Sequence, residues 1–203
     1  MDSSERLRWR LPPWLQEDCE LALPPIPGLP KNPMYSEWPD VSGNARVVTF
    51  DGMTWALGPI GHEGVLDGTD DHADSTFTKN ITGTLLIVAK RHTSAADQIL
   101  LDATTGGGTG SLLWDQSAGL LVASSGTIYV GKSKTSVMRQ GEYEAIIVSG
   151  IALNFTKLVI GDAAAGGAPF DGNLLAVCLW SSTFSERKAK DTVDWIAQGR
   201  RLI

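Results

Sequence analysis

From residue 45 onward the apolar positions fall into short runs broken by glycine and polar residues: RVVTF (46–50), GTLLIVAK (83–90), QILLD (98–102), SLLW (111–114), GLLVAS (119–124), TIYVG (127–131), EYEAIIVSG (142–150), KLVIGD (157–162) and NLLAVCLWS (173–181). Runs of this length, bounded by turn residues, predict strands, and many of them in succession predict an all-β sandwich or barrel. LLIVA and LLAVCLW are apolar on both faces, which predicts central strands covered from both sides. TIYVG and EYEAI alternate, which predicts one wet face each. The end of the chain carries a helical period instead. Ser185 can cap a first turn that opens on Glu186, and Ala189, Val193, Ile196 and Ala197 share one face while Arg187, Lys188, Lys190, Asp191 and Asp194 lie elsewhere.

Residues 1–33 follow a different pattern. Seven prolines (Pro12, Pro13, Pro24, Pro25, Pro27, Pro30 and Pro33) each remove a backbone donor and fix φ, so the segment predicts an extended N-terminal arm ahead of a domain at 34–203. Trp9, Trp14, Leu15, Leu21, Leu23 and Ile26 supply apolar anchors along it. Arg6, Arg8 and Arg10 alternate with Leu7 and Trp9 as a strand added to a partner's sheet edge would. Two arrangements satisfy this pattern, an arm clamping a neighbouring subunit and an arm folded back over its own domain. On the first, deleting residues 1–33 leaves a folded domain.

Composition narrows the function classes. A 203-residue chain with 42% hydrophobic residues has enough for one domain with a substantial core. The net charge of -6 offers no basic surface for a phosphate backbone, so nucleic acid is not the expected ligand. Cys19 and Cys178 are the only cysteines, too few for a disulfide framework or a Cys-based zinc site, and two free thiols are expected. MDSSERLRWRLPP lacks the apolar stretch of a signal peptide and no run approaches a membrane span, so the expectation is synthesis in a host cytoplasm without export and without a membrane partner.

The chemistry-bearing residues are few. GVLDGTDDHADS (64–75) crowds Asp67, Asp70, Asp71 and Asp74 together. Asp67, Asp70 and Asp71 are the candidate ligands of a calcium ion, which takes six to eight oxygens, although the twelve-residue EF-hand order is missing. The alternative is a turn at Asp67-Gly68 whose carboxylate accepts backbone N–H groups, with Asp70 and Asp71 capping the next strand. Glu142 and Glu144 in GEYEAI share a strand face but lack a third carboxylate, and read as a solvated edge. His62, His72 and His92 are scattered, without zinc spacing or a neighbouring nucleophile motif, and TTGGGTGS and DAAAGGAPFDG lack the order of a phosphate loop. No catalytic residue is assigned, and the expected protein is not an enzyme. Trp114 and Tyr129 are the candidates for stacking on a saccharide.

Three stretches together carry a family resemblance. WPDVSGNARVVTFDGMTWALG (38–58) is similar to an opening Asp-x-Ser-Gly-Asn segment, GVLDGTDDHAD (64–74) to an Asp-Gly-x-Asp-Asp signature, and FDGNLLAVCLWSSTFSERKAKDTVDWI (170–196) to a closing strand and helix start. In these the chain resembles the concanavalin A-like lectin/glucanase superfamily, in particular the laminin-G-like jelly-roll domains found in bacteriophage virion proteins. Leu66 and His72 stand where that signature has aromatics. The resemblance covers residues 38–203 and implies a two-sheet antiparallel jelly-roll sandwich with the N-terminal arm and one C-terminal amphipathic helix. The superfamily's glycosidases carry Glu-x-Asp-x-x-Glu on a strand, a string that does not occur here. By analogy it implies a virion structural protein, such as a capsid decoration protein or another head or tail surface component, held to capsid or other virion proteins by its arm. The alternative is a lectin-like, carbohydrate-binding module that uses calcium to attach to host glycans. Self-association is compatible with either.

Overall fold

Apolar runs of four to nine residues that alternate around a wide core become strands, and the computed structural model, which describes residues 11–25, 37–93, 96–103, 110–162 and 168–199, arranges them in two sheets. The front sheet runs β11 (Thr127–Val130), β12 (Tyr143–Phe155), β7 (Lys79–Arg91), β14 (Asp171–Trp180), β5 (Gly61–Asp67) and β4 (Thr54–Gly58), with β1 (Cys19–Leu23) also paired to β14. The back sheet runs β10 (Leu120–Ala123), β9 (Ser111–Asp115), β8 (Gln98–Asp102), β13 (Leu158–Ile160), β6 (His72–Ser75), β3 (Val47–Asp51) and β2 (Glu37–Pro39). Every ladder between these strands is antiparallel, so the expected two-sheet sandwich is the observed fold.

Two hydrophobic layers hold it. Leu85, Ile87, Ala89, Val177 and Leu179 of the front sheet meet Leu101, Leu112, Leu158 and Ile160 of the back sheet in the core between them. The opposite side chains of the same front strands, among them Leu86, Val88, Cys178 and Trp180, meet Phe184 and the apolar stripe of the C-terminal helix α2 (Glu186–Gly199). That accounts for the two-sided apolarity of LLIVA and LLAVCLW. It also overturns the wet face expected for EYEAI. Residues 144–149 of β12 are buried without a break, because α2 lies on one side of that strand and the back sheet on the other. Ser185 caps α2 as expected, its Oγ accepting the Lys188 N–H at 3.2 Å.

Two arrangements were open to the arm, and its described part takes the second, folding back on its own domain. Pro13–Gln16 forms one helical turn, α1, and β1 pairs with residues 177–180 of β14, the stretch of that strand that β5 leaves open. Leu15 is buried in the outer layer, and Leu21 and Leu23 are buried between the sheets, so these three are core residues and not partner anchors. A strand apolar on both faces can be satisfied only inside a sheet, and the open edge of β14 is the nearest place for it. Trp180 donates its Nε1–H to Leu15 O at 2.7 Å, and Trp38 donates to Pro24 O at 2.7 Å. Only Trp14 of the described candidates stays outside, 41% exposed. Arg6, Arg8, Trp9, Arg10 and Ile26 lie outside the described residues.

The remaining edge of β1 is closed by the DVSGN stretch of the opening motif. Asp40 Oδ1 accepts the N–H groups of Ala22 and Ser42 at 2.9 Å, and Asp40 Oδ2 accepts Arg46 N–H at 2.9 Å and Ser42 Oγ–H at 2.8 Å. Val41 N–H reaches Ala22 O at 2.9 Å, and Asn44 Nδ2 donates to Cys19 O at 2.8 Å. This loop does for β1 what another strand would do. A bare edge would invite pairing with other chains.

Candidate functional site

One end of the sandwich gathers the polar chemistry. The β3–β4 turn, the β5–β6 loop, the chain after β7 and the start of β14 meet there, because β5 ends at Asp67 where β14 begins at Asp171 and β7 ends at Arg91 opposite Gly172. The acid cluster sits on the β5–β6 loop. Asp67, Asp70 and Asp71 each present a carboxylate oxygen, all within 4.8 Å of one another, with Asp67 and Asp70 exposed and Asp71 buried. Both earlier readings of this stretch meet in it. Asp71 Oδ2 accepts Asp67 N–H at 2.9 Å and Asp67 Oδ1 accepts Thr69 N–H at 2.8 Å, which is the work of a turn. Gly68 makes that turn with φ +75, and a Cβ on it would stand 2.8 Å from the Cβ of Asp171. Gly52, φ +76, passes so close to Asp71 that a Cβ would lie 2.0 Å from its Oδ1.

Burial pushes the Asp71 carboxyl above its ordinary value. The Asp67 N–H bond opposes the shift, and the charges of Asp67 and Asp70 add to it. A calcium ion, whose ligand oxygens lie about 2.3–2.6 Å away on all sides, brings oxygens together over about this span. The donor set is all hard oxygen, as that ion requires. Asp74 is set apart on β6, 2.9 Å from Lys157 Nζ and 3.8 Å from His72 Nε2.

Two polar rows on the outer face of the front sheet run from this end. In the first, His92 donates its N–H to Asp171 O at 2.9 Å, and its Nδ1 lies 3.3 Å from Asp171 Oδ1. In the second, Tyr143, Lys90 and Asn173 are direct neighbours across β12, β7 and β14. Beside them Glu63 of β5 is only 2% exposed. The Tyr143 hydroxyl lies 2.6 Å from both its oxygens, and Asn173 Nδ2 donates to its Oε1. Asn173 Oδ1 has no hydrogen-bond partner among the described residues, although Asn173 is 6% exposed. Lys90 Nζ stands 5.1 Å from the centroid of the Tyr143 ring. Sequence reasoning missed this group, because Glu63 lies 80 residues from Tyr143 and 110 from Asn173 and no motif links them.

The saccharide-stacking candidates are misplaced. Trp114 is 5% exposed and its ring face is covered by the Arg91 guanidinium, 3.8 Å from the centroid. Tyr129 is 6% exposed, in the layer under α2. Their strands turn both rings inward, away from any saccharide. Arg91 itself is buried and bolts the end together, donating from Nη1 to Thr93 O at 2.7 Å and from Nη2 to Met138 O at 3.3 Å. Glu144 is likewise not a solvated edge. It is buried and takes Arg139 Nε–H at 2.6 Å, while exposed Glu142 holds Arg139 Nη1 at 2.8 Å. One arginine between them holds both carboxylates of the nearest sequence approach to an acid pair.

No protein-family model matches the chain, and none of the curated protein sequences does. Solved structures do match in shape. Trypanosoma rangeli sialidase in complex with 2,3-difluorosialic acid superposes with a TM-score of 0.60 at 14% identity, over 87% of this chain and 33% of that one. A mutant of the same sialidase displaying trans-sialidase activity gives 0.58 at 13%, over 90% and 33%. Domain 4 of AbnA, a GH43 extracellular arabinanase from Geobacillus stearothermophilus, in complex with arabinotriose, gives 0.52 at 12%, over 87% of this chain and 100% of that one. The chain thus spans about a third of the sialidase chains and the whole of the arabinanase domain. At these identities the likeness is one of fold, a β-sandwich of the concanavalin or jelly-roll kind.

Proposed function

We propose that this chain is a non-catalytic carbohydrate-binding sandwich module that attaches to a glycan through its polar end, with a calcium ion held by Asp67, Asp70 and Asp71. The observation that carries the reading is the match over the full length of a single domain solved with arabinotriose, AbnA domain 4, which is covered completely by 87% of this chain. The acid loop supports the calcium part, since three carboxylates within 4.8 Å lower their mutual repulsion by sharing a cation. The loop would supply further oxygens from its carbonyls, and the ion would order the turn beside the two polar rows.

A bacteriophage virion role, with the arm as a clamp on capsid or other virion proteins, draws on Leu15, Leu21 and Leu23, which the chain's own core already occupies. The glycan reading needs none of them. Its test is a glycan array probed with the chain in calcium and in a chelator. At least one glycan class should bind in calcium and bind less in chelator. No glycan above background in either condition would overturn the reading.

A further inference from the structure

We infer that the sugar-contacting surface is the second polar row, Tyr143, Lys90 and Asn173 with Glu63 beside it, and that it takes a neutral, hydroxyl-rich saccharide. The inference rests on the glycan reading above and adds to it a place and a ligand class.

Elsewhere the outer face of the front sheet is covered by α1 and α2, whose apolar side chains share a layer with Leu86, Val88, Ile147 and Cys178. At the polar end that cover stops, and Tyr143 and Lys90 are half-buried. The groups here are mostly acceptors. Glu63 is a buried carboxylate held by two neutral donors, and Asn173 Oδ1 is buried with no donor among the described residues. A buried amide oxygen without a partner is uncommon in folded proteins, and a ligand hydroxyl is a group that would complete it. Glu63 is a positioning residue. It fixes the Tyr143 phenol from 2.6 Å and so sets the angle of the ring. Gly58 gives the carboxylate its room, since a Cβ there would lie 2.5 Å from Glu63 Oε2. Lys90 stands between Tyr143 and Asn173 in the ladder, on a flexible four-carbon stem, and swings aside to admit the sugar.

The ligand's charge follows from the neighbours. Glu63 within the row and Asp171 in the adjacent one put carboxylates at the surface. A sugar carboxylate would meet them at close range, whereas hydroxyl groups donate to the available oxygens without that repulsion.

The test uses the full chain, titrated in calcium with arabinotriose and a panel of neutral oligosaccharides, and with sialyllactose as the acidic probe. Neutral sugars should bind and sialyllactose should not. Lys90→Trp, which places a bulky ring on a half-exposed position beside Tyr143, should weaken neutral binding about tenfold or more, while Lys188→Trp on α2 leaves it unchanged. Amide chemical shifts of the unmodified chain provide the second readout, with residues 90, 143 and 173 expected to move on adding the sugar. Binding by sialyllactose alone, undiminished binding by Lys90→Trp, or shifts confined to other surfaces would overturn this inference and leave the glycan reading standing. Absence of binding to every glycan would overturn both.

Discussion

At the scale of single residues, Asp71 carries the clearest pH signature. Its pKa is raised by burial, so the folded protein holds that proton more tightly than the unfolded chain does. The protonated group therefore favours folding at low pH, and that contribution is lost as the pH rises through the folded pKa. Asp71→Asn keeps an oxygen for the Asp67 N–H and removes the charge. Without calcium it should raise the melting temperature at pH 7 by a few degrees, about 1 kcal/mol, and leave it unchanged at pH 3. An equal change at both pH values in thermal melts would show that charge is not the cause. Arg91 has the opposite sensitivity. Replacing it with Ala removes two hydrogen bonds to loop carbonyls and the cover of Trp114, and should cost about 2–4 kcal/mol in denaturant unfolding. Residue identities were legible in the sequence where they act locally, as the Asp67-Gly68 turn does. Trp114 was not, because a Trp in SLLW shows its face only once β9 has been placed against the back of Arg91.

At the scale of elements, the apolar runs gave strands close to their observed limits, QILLD exactly at Gln98–Asp102 among them. The strands without such runs were missed. GHEGVLD forms β5 with His62, Glu63 and two glycines inside it, and HADS forms β6, because both are paired on each side and take their burial from neighbours instead of their own composition. β1 was hidden among prolines, its closure depending on Asp40 and Asn44 some twenty residues away. This strand can be tested through its thiols. Burial pushes Cys19 up to about 12 and Cys178 well above its ordinary value, so neither should react with a thiol reagent at pH 8 in the native state. Leu21→Ala, at a fully buried site, should cost about 2–5 kcal/mol and speed labelling of Cys178. Labelling as slow as in the unmodified chain would show that β1 is not what shields it. Deleting residues 1–33, which leaves a folded domain if the arm is a clamp on a partner, should here expose Trp180 and collapse the melting transition.

At the scale of the whole molecule, charge and architecture bear on the same end of the sandwich. The net charge of -6 includes three aspartates within one loop, so calcium should stabilise the chain logarithmically as its concentration rises above Kd, by about 2.7 kcal/mol at a hundredfold excess. Thermal melts across a calcium series check this, and Asp67→Asn should remove most of the effect while magnesium, with its stricter octahedral demand, reproduces little of it. Sandwich architecture was legible because strand count and turn spacing are properties of the chain as a whole. The location of the polar surface was not, since it is assembled from β5, β7, β12 and β14 across up to 110 residues.

The docking of β1 against β14 also sets an order of events during synthesis. Leu15 and Trp180, joined by a hydrogen bond, are 165 residues apart, so the N-terminal strand leaves the ribosome long before the edge that receives it exists. Until residues 177–180 emerge, Leu21 and Leu23 have no place in the core, and the growing chain carries an apolar strand that can pair with whatever edge it meets. Completion of the fold is thereby deferred until β14 has been made, and the nascent chain, more than the folded domain, is the state in which this sequence is open to aggregation and to chaperones.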